Sequence, residues 1–141
     1  MQRHTQPLSA TTCLYVEDDP MSRDVMRVMI RRVPRIHGLT VFEDSQDFVA
    51  RLAALPEQPG LILLDIHIAP MDGFSMLGAL RQDPRYDRTR IIALTASVMN
   101  EEVSKLRTTG FDGAIAKPLS LQVFPSLIER ILNGEAVWHI A

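Results

Sequence analysis

What the chain has little of narrows it first. Among 141 residues there is one cysteine, Cys13, which excludes an intramolecular disulfide and a cysteine-based metal site. Cys13 lies in an apolar run, the setting of a buried structural thiol. No apolar stretch approaches the roughly 20 residues that a membrane-spanning helix needs. The polar N-terminus carries no signal-peptide pattern, so a cytoplasmic location is the expectation. Net charge is only −2, far from the basic balance of a general nucleic-acid binder. Neither nucleic acid nor membrane is therefore expected as a partner, and the local cluster Arg31, Arg32 and Arg35 reads as solvated arginines at a helix end. Internal repeats, low-complexity tracts and linkers are missing too. With 46% hydrophobic and 23% charged residues, the composition suits one globular domain with a single substantial core.

What is present is alternation. Short apolar runs at Cys13–Val16, Leu39–Phe42, Leu61–Leu64, Ile91–Leu94 and Gly113–Ala116 read as strands. Between and after them, segments with helical spacing run from Met21 to Arg32, from an Asp44 or Ser45 cap to Leu55, from Phe74 to Arg81, from Val98 to Thr108, and from about Phe124 to Asn133. Asp19 is placed to cap the first helix with Pro20 at its first position. That helix shows two apolar stripes: Met21, Val25, Val28 and Met29, and beside them Met26 and Ile30. No two strands are joined by a hairpin-length connection, which dictates right-handed crossovers. The fold class is α/β: a flavodoxin-like, three-layer arrangement of a five-stranded parallel sheet, order 2-1-3-4-5, with five helices. Residues 1–10 are expected as a flexible arm and 11–133 as the domain. Residues 134–141 form a tail whose Trp138 and Ile140 suggest packing on the chain's own body or on a second copy, a homodimer. Trp138 is expected to lie too far along that tail to report on events in the domain.

The polar residues of interest all fall at carboxyl ends of strands: Glu17 and Asp18 after the first, Asp65 after the third, Thr95 after the fourth, Lys117 after the fifth. In a parallel sheet those ends share one edge, where α/β folds bind ligands. Three carboxylates held together share protons or recruit a cation. All-oxygen ligation with room for water suits Mg²⁺. A metal, the Lys117 ammonium, the Thr95 hydroxyl and a remaining carboxylate make a cradle for a phosphoryl group on that carboxylate. Taken singly, Glu17, Asp18 and Asp19 read equally well as helix-start charges, Thr95 as a turn cap and Lys117 as a surface lysine.

On these motifs, in this order and over about residues 12–133, the chain resembles the receiver domain of two-component response regulators, the family of the chemotaxis response regulator. The resemblance implies that Glu17 and Asp18 bind Mg²⁺ together with Asp65 and the backbone carbonyl of His67. It implies that Asp65 is the phosphoacceptor, assisted by Thr95 and by Lys117, whose bond to Pro118 is typically cis in the family. It further implies a phosphohistidine donor on a sensor histidine kinase or histidine phosphotransfer protein, and a downstream protein target of unknown identity. Such a protein is a signalling phosphoacceptor rather than an enzyme, catalysing only its own phosphorylation and dephosphorylation. The expected output, from a single domain without an output domain, is switching of protein–protein interactions or relay of phosphate. In this family the first helix commonly helps to dock the kinase, which would give Met26 and Ile30 a second role.

Two positions depart from the family pattern. Ile68-Ala69 stands where Met-Pro is usual, with Pro70 one residue later, and Ala114 stands where Tyr or Phe is usual on the fifth strand. The alternative these departures favour is a receiver-like interaction module that works without phosphorylation. A phosphatase of the haloacid dehalogenase type is disfavoured, because its general acid two residues after the nucleophile is replaced by His67.

Overall fold

The computed structural model of the chain describes residues 7–140. Its strands are β1 Thr11–Val16, β2 Ile36–Phe42, β3 Leu61–Asp65, β4 Arg90–Thr95, β5 Gly113–Ala116 and β6 Val137–His139. Its helices are α1 Pro20–Ile30, α2 Phe48–Ala53, α3 Gly73–Arg81, α4 Asn100–Thr108 and α5 Phe124–Leu132, with one 3-10 turn at Pro84–Tyr86. All strand pairs are parallel, in the order β2-β1-β3-β4-β5-β6.

The central strands are apolar at nearly every position because both sheet faces are covered. Leu14, Val16, Ile62, Leu64, Ile91 and Ala93 face a core closed by Phe48, Leu52, Met76, Leu77, Leu80 and Leu106 from α2, α3 and α4. The alternate residues Cys13, Tyr15, Leu61, Leu63, Ile92 and Leu94 face Met26, Met29 and Ile30 of α1 and Leu127, Ile128 and Ile131 of α5. Cys13 is buried as expected, and burial pushes its thiol above the ordinary range, away from reactivity.

The expected five-stranded sheet is six-stranded, a correction that comes from the tail. Val137–His139 pairs in parallel with Gly113–Ile115, so α5 is a crossover between β5 and β6 rather than a terminal helix. Gly113 makes this approach feasible, since a Cβ there would collide with the carbonyl oxygen of Val137. Trp138 lies in register beside Ala114 and packs against the same core, with Ile140 buried after it. The guanidinium of Arg107 on α4 sits 4.9 Å from the Trp138 ring centroid, so the tail lies on its own domain.

Other expectations shift as well. Of the two stripes on α1, Met26, Ile30 and Met29 are buried, whereas Met21, Val25 and Val28 are exposed. Met26 and Ile30 are therefore core residues and not a docking surface. Both stripes are apolar, so periodicity alone did not choose between them. Neither Asp44 nor Ser45 caps α2, whose N-cap is Asp47 in the left-handed region (φ 48°) without a side-chain bond. Asp44 instead accepts from the Gln46 N–H and from Arg51, and the buried Ser45 ties its loop to the one after β3. Its hydroxyl donates to the Met71 carbonyl and accepts from the Met71 N–H, each at 2.7 Å. Arg35 is no solvated arginine, because it pairs with Glu129 at 2.9 Å and donates to the Leu8 carbonyl. Of the expected arm, residues 1–6 lie outside the described residues, and Leu8 donates its N–H to the Leu132 carbonyl at 2.7 Å.

Candidate functional site

Chain order creates the site. From β1 the chain moves to one side for β2 and then to the other for β3, leaving a crevice at the carboxyl ends of β1 and β3. Glu17 and Asp18 follow β1, and Asp65 is the last residue of β3. Ligand oxygens from Glu17, Asp18 and Asp65 all lie within 4.8 Å of one another. Lys117, leaving β5, reaches across β4: its Nζ is 2.6 Å from Glu17 Oε1 and 3.3 Å from Asp65 Oδ1.

Glu17 is held hard. It is 1% exposed, its Oε1 accepts from both Lys117 and the Tyr15 hydroxyl (2.9 Å), and its Oε2 accepts from the Asp19 N–H at 3.3 Å. Burial pushes its carboxyl up, but the Lys117 ammonium and the Tyr15 hydroxyl outweigh that and hold it below the ordinary range. For Lys117, burial pulls down and the two carboxylates pull up harder, so its ammonium is kept charged. Asp65 is held loosely. Among the described residues, its one donor besides Lys117 is the His67 N–H, through a long bond of 3.4 Å. Burial raises its carboxyl to about 6, with the Glu17 charge adding and the Lys117 charge opposing. An under-compensated carboxylate between two others is a cation site in its chemistry: hard oxygen donors, excess negative charge, and one exposed member, Asp18, open to water. The residues fit Mg²⁺.

The loop behind Asp65 is shaped by Gly73, where a Cβ would meet the Ile66 Cα at 2.9 Å and the Asp65 carbonyl oxygen at 3.1 Å. Asp72 then caps α3 by accepting from the Ser75 N–H at 2.8 Å. The bonds Ala69–Pro70 and Lys117–Pro118 are both cis.

Thr95 ends β4 as expected but is not directed at the other four residues. Its hydroxyl donates to the Ser97 carbonyl at 3.2 Å and lies 3.5 Å from Glu102 Oε1, while accepting from the Ser97 N–H at 3.0 Å. His67 sits in the bend after Asp65 with an exposed ring whose Nε2 is 3.0 Å from the same Glu102 oxygen. Two neighbours of the site escaped the sequence reading. Tyr15 was absorbed into an apolar strand, although its spacing of two from Glu17 puts both on one face. Glu102, in the first turn of α4, gave no signal, because nothing in the sequence tells which way an acidic residue at a helix start will turn.

A model of the response regulator receiver domain matches residues 13–129. The chain belongs to this family. Among curated relatives it is 32% identical over 114 residues to an uncharacterised 14.6 kDa protein of Leptolyngbya boryana, covering 81% of this chain and 84% of that one. To the signal transduction histidine-protein kinase BarA of Escherichia coli it is 26% identical over 128 residues, 91% of this chain but only 14% of the kinase. Among solved structures, the receiver domain of a histidine kinase from Syntrophus aciditrophicus is 25% identical, with a TM-score of 0.76 over 89% of this chain and 92% of that one. The receiver domain of the sensor kinase PA1611 from Pseudomonas aeruginosa, solved with magnesium in its active-site cleft, is 24% identical, with a TM-score of 0.73 over 88% and 98%. Receiver domains belong to two-component signalling as phosphoacceptors. Among the described residues, no helix is long and apolar enough to cross a membrane.

Proposed function

We propose that Asp65 accepts a phosphoryl group from a phosphohistidine, with Mg²⁺ held by Glu17, Asp18, Asp65 and the backbone carbonyl of His67. The observation that carries this reading is the pairing of a tightly held acidic residue with a loosely held one. Glu17 is locked by three donors, whereas at the end of its buried strand Asp65 is met at greater distance, by Lys117 at 3.3 Å and the His67 N–H at 3.4 Å, both on Oδ1, and Oδ2 is the nucleophile. That oxygen attacks phosphorus, the P–N bond to the donor imidazole breaks, and the imidazole leaves with the bonding electrons and takes up a proton. The product is an acyl phosphate on Asp65. Lys117, already 3.3 Å from Asp65, holds a phosphoryl oxygen, and Thr95 supplies a hydroxyl to another after leaving Ser97. Mg²⁺, held by Glu17, Asp18, Asp65 and the His67 carbonyl, would supply neutralisation of the negative charge that builds up in phosphoryl transfer and in hydrolysis of the acyl phosphate.

Likeness to a segment of a histidine-protein kinase supports a phosphohistidine donor, on a sensor kinase or a histidine phosphotransfer protein. The consequence is a switched interaction with a protein target, or relay of the phosphoryl group, inside the cytoplasm. The second reading, an interaction module that works without phosphorylation, is favoured by Ala114, which has no ring to reorient. One experiment separates them. Incubated with acetyl phosphate and Mg²⁺, the wild-type chain gains the mass of one phosphoryl group and Asp65→Ala does not. A wild-type chain that gains nothing, or an Asp65→Ala variant that gains equally, would contradict the proposal.

A further inference from the structure

Glu102 belongs to neither the acidic cluster nor the core, yet its carboxylate is directed at the site from α4. A single oxygen, Oε1, lies 3.0 Å from His67 Nε2 and 3.5 Å from Thr95 Oγ1. The carboxylate thereby bridges the bend that follows Asp65 and the end of β4, the two chain segments that flank the acceptor. Its side chain is 23% exposed, so its charge is only partly screened by solvent. Thr95 has one hydroxyl proton, and both acceptors near it, the Ser97 carbonyl and Glu102, lie outside the acidic cluster. While this arrangement holds, the hydroxyl offers nothing to a phosphoryl group on Asp65.

We infer that Glu102 is a positioning residue that restrains phosphoryl loading: it holds Thr95 and His67 in the empty-site arrangement and opposes an incoming dianion by charge. This rests on the reading of Asp65 as acceptor and deepens it, because it assigns the ease of loading to a residue on α4. Among the described residues, the side-chain contacts of Glu102 are to His67 and Thr95 and not to Asp65 or Lys117, so it acts through the first two. The neighbouring Glu101 is exposed on the same helical turn and supplies the comparison for loss of a charge alone.

The test uses the full chain with beryllofluoride as the phosphoryl analogue, its bound form followed by fluorine NMR at saturating Mg²⁺. Glu102→Gln lowers the half-saturating beryllofluoride concentration about three-fold, the size expected of a partly shielded charge contact. Glu101→Gln leaves it in place. Mg²⁺ titrated without beryllofluoride binds Glu102→Gln no more tightly than wild type, since losing a negative charge cannot favour a dication, so the gain is confined to the anion. The inference is overturned if Glu102→Gln loads no more tightly than wild type, if Glu101→Gln gains as much, or if Mg²⁺ affinity rises by the same factor. A wild-type chain that never takes up beryllofluoride defeats the reading of Asp65, and this inference with it. A wild-type chain that loads, beside a Glu102→Gln chain that loads no better, defeats this inference alone.

Discussion

Helices α4 and α5 both have nine residues and flank the same strand, β5, yet they are attached by different physics. Helix α5 buries Phe124, Leu127, Ile128, Ile131 and Leu132. Helix α4 buries Leu106 alone, and Met99 at its N-cap makes no side-chain capping bond. Beside Leu106 only the half-buried Val103 packs on the core from α4, and its other contacts among the described residues are polar or to aromatic rings: Glu102 to His67, the Lys105 ammonium 4.1 Å from the Phe74 ring centroid, and Arg107 on Trp138. Apolar burial on the scale of α5 is lost only on global unfolding, whereas contacts of α4's kind exchange at low cost. The helix with the weaker hold is the one that touches the site. The fold thus joins a rigid crossover to a loosely seated helix on either side of the strand that delivers Lys117.

The largest expected effect comes from cutting into each helix's core contact. Ile128→Ala is expected to destabilise the whole domain by about 2–5 kcal/mol, the usual cost of a large buried cavity. Leu106→Ala is expected to cost less in global denaturation, because α4 can settle locally, while its amides lose hydrogen-exchange protection ahead of those in α5. Equal global losses with no selective exchange in α4 would erase the contrast between the two helices.

A smaller effect belongs to the site between them. In the folded chain Asp65 titrates near 6, above its unfolded value of about 4, so the folded state binds that proton more tightly. Stability from this group is therefore complete below about pH 4 and is lost as pH rises through about 6. Asp65→Asn is expected to gain about 1–2 kcal/mol in denaturant unfolding at pH 7 and nothing at pH 4. Added Mg²⁺ is expected to stabilise wild type and not this variant. A gain of equal size at both pH values would mean that the buried charge is not its source.

The smallest effect tests the outer end of α4. Arg107→Ala is expected to cost only about 0.5–1 kcal/mol, the scale of an exposed cation–π contact. It is also expected to shift the emission of Trp138, the only tryptophan in the chain. An unchanged spectrum would show that α4 and β6 are not in contact in solution.

Much of this arrangement was legible in the sequence because a doubly covered parallel sheet writes itself as short apolar runs. The strand-end rule then gathers Glu17, Asp18, Asp65 and Lys117 from three separate segments. Strand β6 was not legible, since three residues carry no period, although the apolar tail signalled that it packs somewhere. The buried stripe of α1 was ambiguous because both candidate faces are apolar. The start of α2 was missed because Ser45, a good cap by type, is instead spent on a loop-to-loop bond with Met71. Within the site, sequence could place Thr95 at the end of its strand but not the direction of its hydroxyl, which depends on Ser97 and Glu102.

One measurement bears most directly on the central claim that Asp65 is the acceptor. The wild-type chain is loaded by a phosphohistidine donor in Mg²⁺, digested, and the modified peptide sequenced by fragmentation. The phosphoryl group is expected on Asp65 and nowhere else; finding it on His67, Ser75 or another residue, with Asp65 unmodified, would contradict that assignment.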